Sequence, residues 1–141
     1  MDKTLIILKP DTVKKNQAGE VLAAVERDGL KIIGLKMLLL TRPLAKKFYA
    51  EHEGKQFYEG LIDFMTSGPV VAVALEAEDV VKRARLLMGA TNPAEAAPGT
   101  IRAEFGGGTM PDNAIHGSDS SESAKRELSF FFAEVDLNDD R

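Results

Sequence analysis

Val70-Val71-Ala72-Val73-Ala74-Leu75 is an unbroken apolar run that follows the turn Ser67-Gly68-Pro69. It is too short for a helix and rich in β-branched residues, so it reads as a buried strand. Thr4-Leu5-Ile6-Ile7-Leu8 is a second run of the same kind, stopped by Lys9-Pro10-Asp11. Between the two, Val21, Leu22 and Val25 recur at helical spacing over 18–28, and Gly29 supplies the residue that commonly follows a helix end. Leu30 to Thr41 reads as a long second strand with Lys31 and Lys36 at its less buried positions, broken by Pro43. Two short helices, over 44–53 and 57–65, then form an insertion, the second with Phe57, Leu61 and Met65 on one face.

After Leu75, Asp79 is the expected cap of a helix running through Met88 and closed by Gly89. Ala90 to Asp112 has no sustained period and holds three prolines and four glycines; an irregular loop of that length is expected to be functional. A short strand ends near Ile115, and a helix over 119–132 follows, with Ala124, Leu128 and Phe131 on one face and Asp119 and Glu122 spaced as a capping box. Asp136 to Arg141 is expected to fray. This order predicts a single α+β domain over 1–141. Its core is a ferredoxin-like antiparallel sheet with helices on one face, an insertion between strands two and three, and a long irregular loop before the last strand. Strand order stays open.

Composition narrows the function. The chain has 141 residues, 44% of them hydrophobic, which suffices for a sizeable core. With no cysteine, thiolate catalysis and cysteine-bound zinc are excluded. A net charge of −4 with 6% aromatics argues against nucleic acid as the main partner and leaves room for a local basic pocket. The apolar run after Met1-Asp2-Lys3 is too short for a signal peptide or membrane span, so a cytoplasmic protein is expected.

Asn113-Ala-Ile-His116-Gly-Ser-Asp119 packs an imidazole, an amide, a hydroxyl, a carboxylate and a glycine into one strand-to-helix turn. A neutral imidazole is both a proton acceptor and a nucleophile. A histidine that accepts a phosphoryl group needs cations for the phosphate oxygens and an acceptor that orients the ring. Lys9, Arg85, Thr91, Arg102 and Asn113 are the candidates for those roles. Taken one at a time each has a plainer reading. Lys9 can be a strand-end charge, Arg85 part of a solvated helix face beside Lys82 and Arg83, Arg102 a loop anchor, and Thr91 and Asn113 turn residues. Tyr49 and Phe57 read by default as core, Glu127 and His52 as solvated helix residues.

The segment 113–119 resembles the signature of nucleoside diphosphate kinases. The likeness continues through Lys9-Pro10-Asp11, Phe48-Tyr49, Phe64-Met65-x-Ser-Gly-Pro69, Met88-Gly-Ala-Thr-Asn-Pro93 and Pro98-Gly-Thr-Ile-Arg102. Several motifs in family order are far more specific than one. The resemblance implies a ping-pong phosphotransferase in which the γ-phosphate of ATP or another nucleoside triphosphate passes to His116 and then to a nucleoside diphosphate such as GDP. It implies Mg²⁺ riding on the nucleotide phosphates rather than a protein metal site. Lys9, Tyr49, Arg85, Thr91, Arg102 and Asn113 would contact phosphates, ribose or the histidine; Phe57 would stack on the base, and Ser118 and Glu127 would support His116. It also implies a homo-oligomer, a dimer built into a tetramer or hexamer. Asp119 is then a helix cap.

The chain departs from the family pattern in having one extra residue between Arg102 and Asn113, where Gly106-Gly107-Gly108 lies, and Gln56 where proline is frequent. These predict altered loop packing and altered nucleotide affinity. Two rivals are weaker. Histidine-dependent phosphatases and mutases place arginine directly before His-Gly, where this chain has Ile115. A ferredoxin-like binding module predicts basic or aromatic surface stripes that the composition lacks.

Overall fold

The computed structural model describes residues 1–107 and 113–139. Its elements in order are β1 (Asp2–Leu8), α1 (Pro10–Lys14), α2 (Ala18–Arg27), β2 (Lys31–Leu38), α3 (Arg42–Phe48), α4 (Tyr58–Met65), β3 (Val70–Ala77), α5 (Val80–Met88), α6 (Ile101–Phe105), β4 (Ile115–Gly117) and α7 (Ser121–Phe131). Single 3₁₀ turns occupy Ala50–His52, Pro93–Glu95 and Glu134–Asp136. The strands form one antiparallel sheet in the order β2-β3-β1-β4.

The two apolar runs are the central strands, and every residue of β3 is buried. Their alternating side chains feed two cores. Ile6, Leu8, Val71, Val73 and Leu75 pack with Val21 and Val25 of α2 and Val80, Ala84 and Met88 of α5. These two crossover helices share one face, as the ferredoxin-like core requires. Leu5, Ile7, Ala72 and Ala74 pack on the other face against α3, α4 and α7 through Phe48, Ile62, Met65, Leu128 and Phe131. The insertion and the last helix thus close the second face, which is why β1 and β3 are apolar without alternation. Each fully buried aliphatic side chain here contributes about 1.5–3 kcal/mol.

Several boundaries differ from the sequence expectation. β2 ends at Leu38 rather than Thr41 because Thr41 turns outward to cap α3, its hydroxyl accepting from Leu44 N at 3.3 Å, and Pro43 sits in that helix's first turn. Pro10 does not merely stop β1; it opens α1. The loop over 90–112 is not wholly irregular, since Asn92 caps a 3₁₀ turn and Thr100 caps α6. Gly108 and the rest of 108–112, part of the segment between Arg102 and Asn113 that is one residue longer than the family pattern, lie outside the described residues. Asp79 precedes α5 in a left-handed conformation, φ 54°, and makes no side-chain cap. The capping box of α7 is Ser120 with Ser123, one residue beyond the Asp119–Glu122 pair. The segment after Asp136 does not fray as far as it is described: Asn138 N donates to Ile33 O at 2.8 Å and Lys3 pairs with Asp139 at 2.6 Å. Residues 140–141 lie outside the described residues.

Candidate active site

β4 pairs with β1 so that His116 lies opposite Ile7, which directs the imidazole to the face covered by α3 and α7. The strand is entered through Ala114, a non-glycine residue at φ 73°. That conformation costs about 1–2 kcal/mol. It is offset by three bonds from the end of β1 and the start of α1: Lys9 N and Thr12 Oγ1 donate to Ala114 O at 2.8 and 2.9 Å, and Ala114 N donates to Asp11 Oδ2 at 2.9 Å. After His116, glycine leaves room for Met88 on α5: a Cβ on Gly117 would collide with Met88 Sδ, so any larger residue requires that side chain to shift.

The imidazole is tied from behind. Its Nε2 lies 2.8 Å from Glu127 Oε1, and Ser118 Oγ donates to the same oxygen at 3.0 Å. Glu127 is buried. An ionised carboxylate can only accept, so in the neutral imidazole this contact favours the proton on Nε2 and the lone pair on Nδ1. Phe48 and Tyr49 wall the ring in T-shaped contacts, with centroids 5.5 and 6.0 Å away. Tyr49 Oη is buried with no hydrogen-bond partner among the described residues. Burial first, and the charge of Glu127 second, push its phenol pKa up, so it stays a proton donor at neutral pH.

Three cations hydrogen-bond to the segment that carries this ring. Arg85 Nη1 donates to Gly117 O at 3.3 Å, and Arg102 Nη2 donates to Ile115 O at 2.8 Å, so the carbonyls on either side of His116 are each held by a guanidinium. Arg102 also donates from Nη1 to Gly89 O at 3.0 Å, while its buried Nε meets no partner among the described residues. Burial, then the charge of Arg85, lowers its pKa to about 10, still cationic at neutral pH. A bound anion relieves that cost. Lys9 Nζ donates to Asn113 Oδ1 at 2.7 Å, and Asn113 Nδ2 donates to Thr91 O at 2.9 Å. The strand-end lysine, the loop threonine and the turn asparagine are therefore one chain of contacts.

Phe57 stands apart. It is not on the buried face of its helix but at the N-cap of α4, 54% exposed. Ring contacts nevertheless connect it to the centre: Phe57 to His52 at 5.4 Å, His52 to Tyr49 at 6.2 Å, Tyr49 to His116 at 6.0 Å. Asp119 faces Ser123, whose hydroxyl donates to its Oδ1 at 2.7 Å. That bond, with help from Arg85, holds its carboxyl below the usual range. Asp119 thus steadies the α7 entrance.

Sequence reasoning missed Asp11 and Thr12, which hold Ala114, and the Phe48 ring, His52 and Arg126. Asp11 and Phe48 lay inside the family motifs without a role attached, and proline at a helix start places Asp11 and Thr12 in a first turn; nothing signalled the contacts of His52 or Arg126. Among the described residues no three His, Asp or Glu side chains group as a metal cage. The donors gathered around His116 are cationic, amide and hydroxyl groups, a set that suits phosphate oxygens.

The family model described as nucleoside diphosphate kinase matches residues 2–137. The chain is 52% identical over 139 residues to a nucleoside diphosphate kinase from Desulforamulus reducens, covering 99% of this chain and 93% of that protein. In solved structures it is similar to the Aquifex aeolicus nucleoside diphosphate kinase, with TM-score 0.94, 44% identity, and 96% and 98% of the two chains covered. It is equally similar in fold to a halophilic nucleoside diphosphate kinase from Halobacterium salinarum in complex with CDP, with TM-score 0.94, 42% identity, and 99% and 93% covered. With its fold, its length and more than two-fifths of its residues shared with these enzymes, the chain belongs to the nucleoside diphosphate kinase family.

Proposed function

We propose that the protein moves the γ-phosphate of a nucleoside triphosphate such as ATP to a nucleoside diphosphate such as GDP through phosphohistidine at His116, and so maintains nucleoside triphosphate pools. The observation that carries this reading is the contact of Glu127 with Nε2 at 2.8 Å, which leaves Nδ1 as the nucleophile, on a segment to which Arg85, Arg102 and Lys9 also bond. In the first half-reaction the Nδ1 lone pair forms the N–P bond as the bond from the γ-phosphorus to its bridging oxygen breaks. The nucleoside diphosphate leaves with that electron pair. In the second, a β-phosphate oxygen of another diphosphate attacks the same phosphorus, and the N–P electrons return to Nδ1. The Nε2 proton never leaves, and the Glu127 carboxylate balances the positive charge the ring gains on phosphorylation.

Arg85, Arg102 and Lys9 offset charge on the phosphates, and Tyr49, Thr91 and Asn113 supply neutral donors to phosphate or ribose. Magnesium, bound to the nucleotide rather than to a protein cage, neutralises phosphate charge when present. The exposed Phe57 ring stacks on the base, which suits any base because all present a π face. The CDP in the Halobacterium relative supports a nucleotide ligand.

The protein is further proposed to be a homo-oligomer, built on dimers. β2 is a sheet edge, and Leu35 and Met37 stand exposed along it with Leu39 just past its end. A monomer mass in light scattering at micromolar concentration refutes that. No helix among the described residues is long and apolar enough to cross a membrane; a cytoplasmic location is proposed. The reaction itself is tested by initial rates with ATP and GDP both varied. Parallel double-reciprocal lines support a phosphoenzyme. Intersecting lines indicate direct transfer in a ternary complex and remove His116 from the path.

A further inference from the structure

We infer that Arg126 is a positioning residue for the phosphotransfer, setting the wall of the site against His116; this rests on the function proposed above. α3 ends at Phe48, and the His52 N–H that a continuing helix would give to Phe48 O goes instead to Tyr49 O at 2.9 Å. Phe48 O is thus an orphan carbonyl at the negative end of α3. Arg126 fills it: its Nη2 donates at 3.0 Å, and its guanidinium carbon lies 5.7 Å from the centroid of the Phe48 ring. The same ring makes T-shaped contacts with His116 at 5.5 Å and with Tyr49 at 4.9 Å.

The neighbouring residue, Glu127, points about 100° around the helix and holds Nε2 of His116. One step of α7 therefore references two elements distant in sequence: β4 through Glu127, and the end of α3 through Arg126. The Tyr49 hydroxyl, unpartnered among the described residues, and the imidazole are held at a spacing that α7 defines. The rest of the helical insertion has its own anchors, Ile62 and Met65 in the core and Arg42 bonded to Glu59 and Asp63 at 3.1 and 2.6 Å. Loss of Arg126 uncaps α3 and removes the stack on Phe48, leaving the Phe48–Tyr49 end to its core packing alone, while the α4 end that carries Phe57 keeps its own anchors. The effect belongs on the chemical step and not on base binding.

The test compares wild type, Arg126→Ala and Arg126→Lys, each shown folded by circular dichroism. Phosphohistidine formation with saturating Mg-ATP is measured by rapid quench, and ADP affinity by calorimetry. Arg126→Ala is expected to slow phosphorylation about tenfold or more, a misplacement on the order of 1 Å being enough for that, with ADP affinity within about twofold of wild type. Arg126→Lys is expected to recover part of the rate, since it restores the charge and a donor but not the planar stack. An unchanged rate in folded Arg126→Ala, or a loss carried wholly by ADP affinity, overturns the proposal. Wild type that forms no phosphohistidine overturns the underlying function instead.

Discussion

Replacing Glu127 by Gln keeps the size and the acceptor oxygen of the side chain while deleting its charge. In the folded protein Oε1 receives both Nε2 of His116 at 2.8 Å and Oγ of Ser118 at 3.0 Å, and the carboxylate is buried, so solvent cannot replace what is lost. A hydrogen bond to a charged group contributes about 1.5–3 kcal/mol and a neutral one about 0.5–1.5, a difference of about 1–1.5 kcal/mol. That difference grows as the ring acquires positive charge on phosphorylation, so it appears in the rate by roughly a factor of ten. Glu127→Gln is therefore expected to form phosphohistidine about ten times more slowly at saturating ATP, with ADP affinity unchanged. Glu127→Ala, which leaves two donors unpaired, is expected to lose a further 1–3 kcal/mol or so in folding stability as well. The assay is rapid quench on each variant, with urea unfolding alongside. A Glu127→Gln protein with the wild-type phosphorylation rate would refute the assignment of the carboxylate as the ring's counter-charge.

Other expectations follow from single contacts. Gly117→Ala drives a Cβ into Met88 Sδ and is expected to cost about 1–3 kcal/mol, read from the urea midpoint, with Met88→Ala in the same chain returning part of it. Full additivity of the two changes would contradict the collision. Phe57→Ala is expected to raise KM for purine and pyrimidine diphosphates by similar factors, on the order of 1–3 kcal/mol of stacking, while kcat changes little. A loss confined to one base would point to edge recognition instead. The folded-state pKa of Asp119 is lowered first by Ser123, so its contribution to stability is present above the ordinary carboxylate pKa and is lost as pH falls through the depressed value. The melting-temperature gap between wild type and Ser123→Ala should therefore be widest near neutrality and narrow below about pH 4, where the unfolded carboxyl protonates. A gap independent of pH would leave only the Ser120–Ser123 cap in play.

Much of the sheet was legible because β1 and β3 are covered on both faces, and continuous apolar runs follow directly from that. The end of β2 was misjudged because Leu39 and Leu40 extend its apolar pattern after the pairing has stopped, while Thr41 already serves the next helix. α1 and α6 span five residues each, too few to show a period, and are signalled only by Pro10 and by Thr100 as a cap. Asp119 and Ser120 are both good cap formers, so the register of the box at α7 turned on Ser123, which periodicity does not single out. The segment after Asp136 looked like a polar end, yet Leu137 reaches the core beside Gly34.

At the site, spacing alone brought nothing together. Glu127 stands eleven residues past His116, and only the packing of α7 across β1 returns it to the ring. Lys9 meets Asn113 across 104 positions of sequence. The family motifs identified these residues without their contacts. Phe48 lay in the Phe48-Tyr49 motif but read as core, and Arg126 had neither motif nor pattern, because a buried phenylalanine and a surface arginine are the commonest residues of their kind.

The most direct test is a label chase. The protein is incubated with γ-labelled ATP and magnesium, isolated, and chased with unlabelled GDP, beside His116→Ala. Label that is stable to alkali, labile to acid, absent from the variant and recovered in GTP is the predicted result. A folded wild-type protein that binds nucleotide but takes no label, or a His116→Ala protein that still transfers it, contradicts transfer through His116.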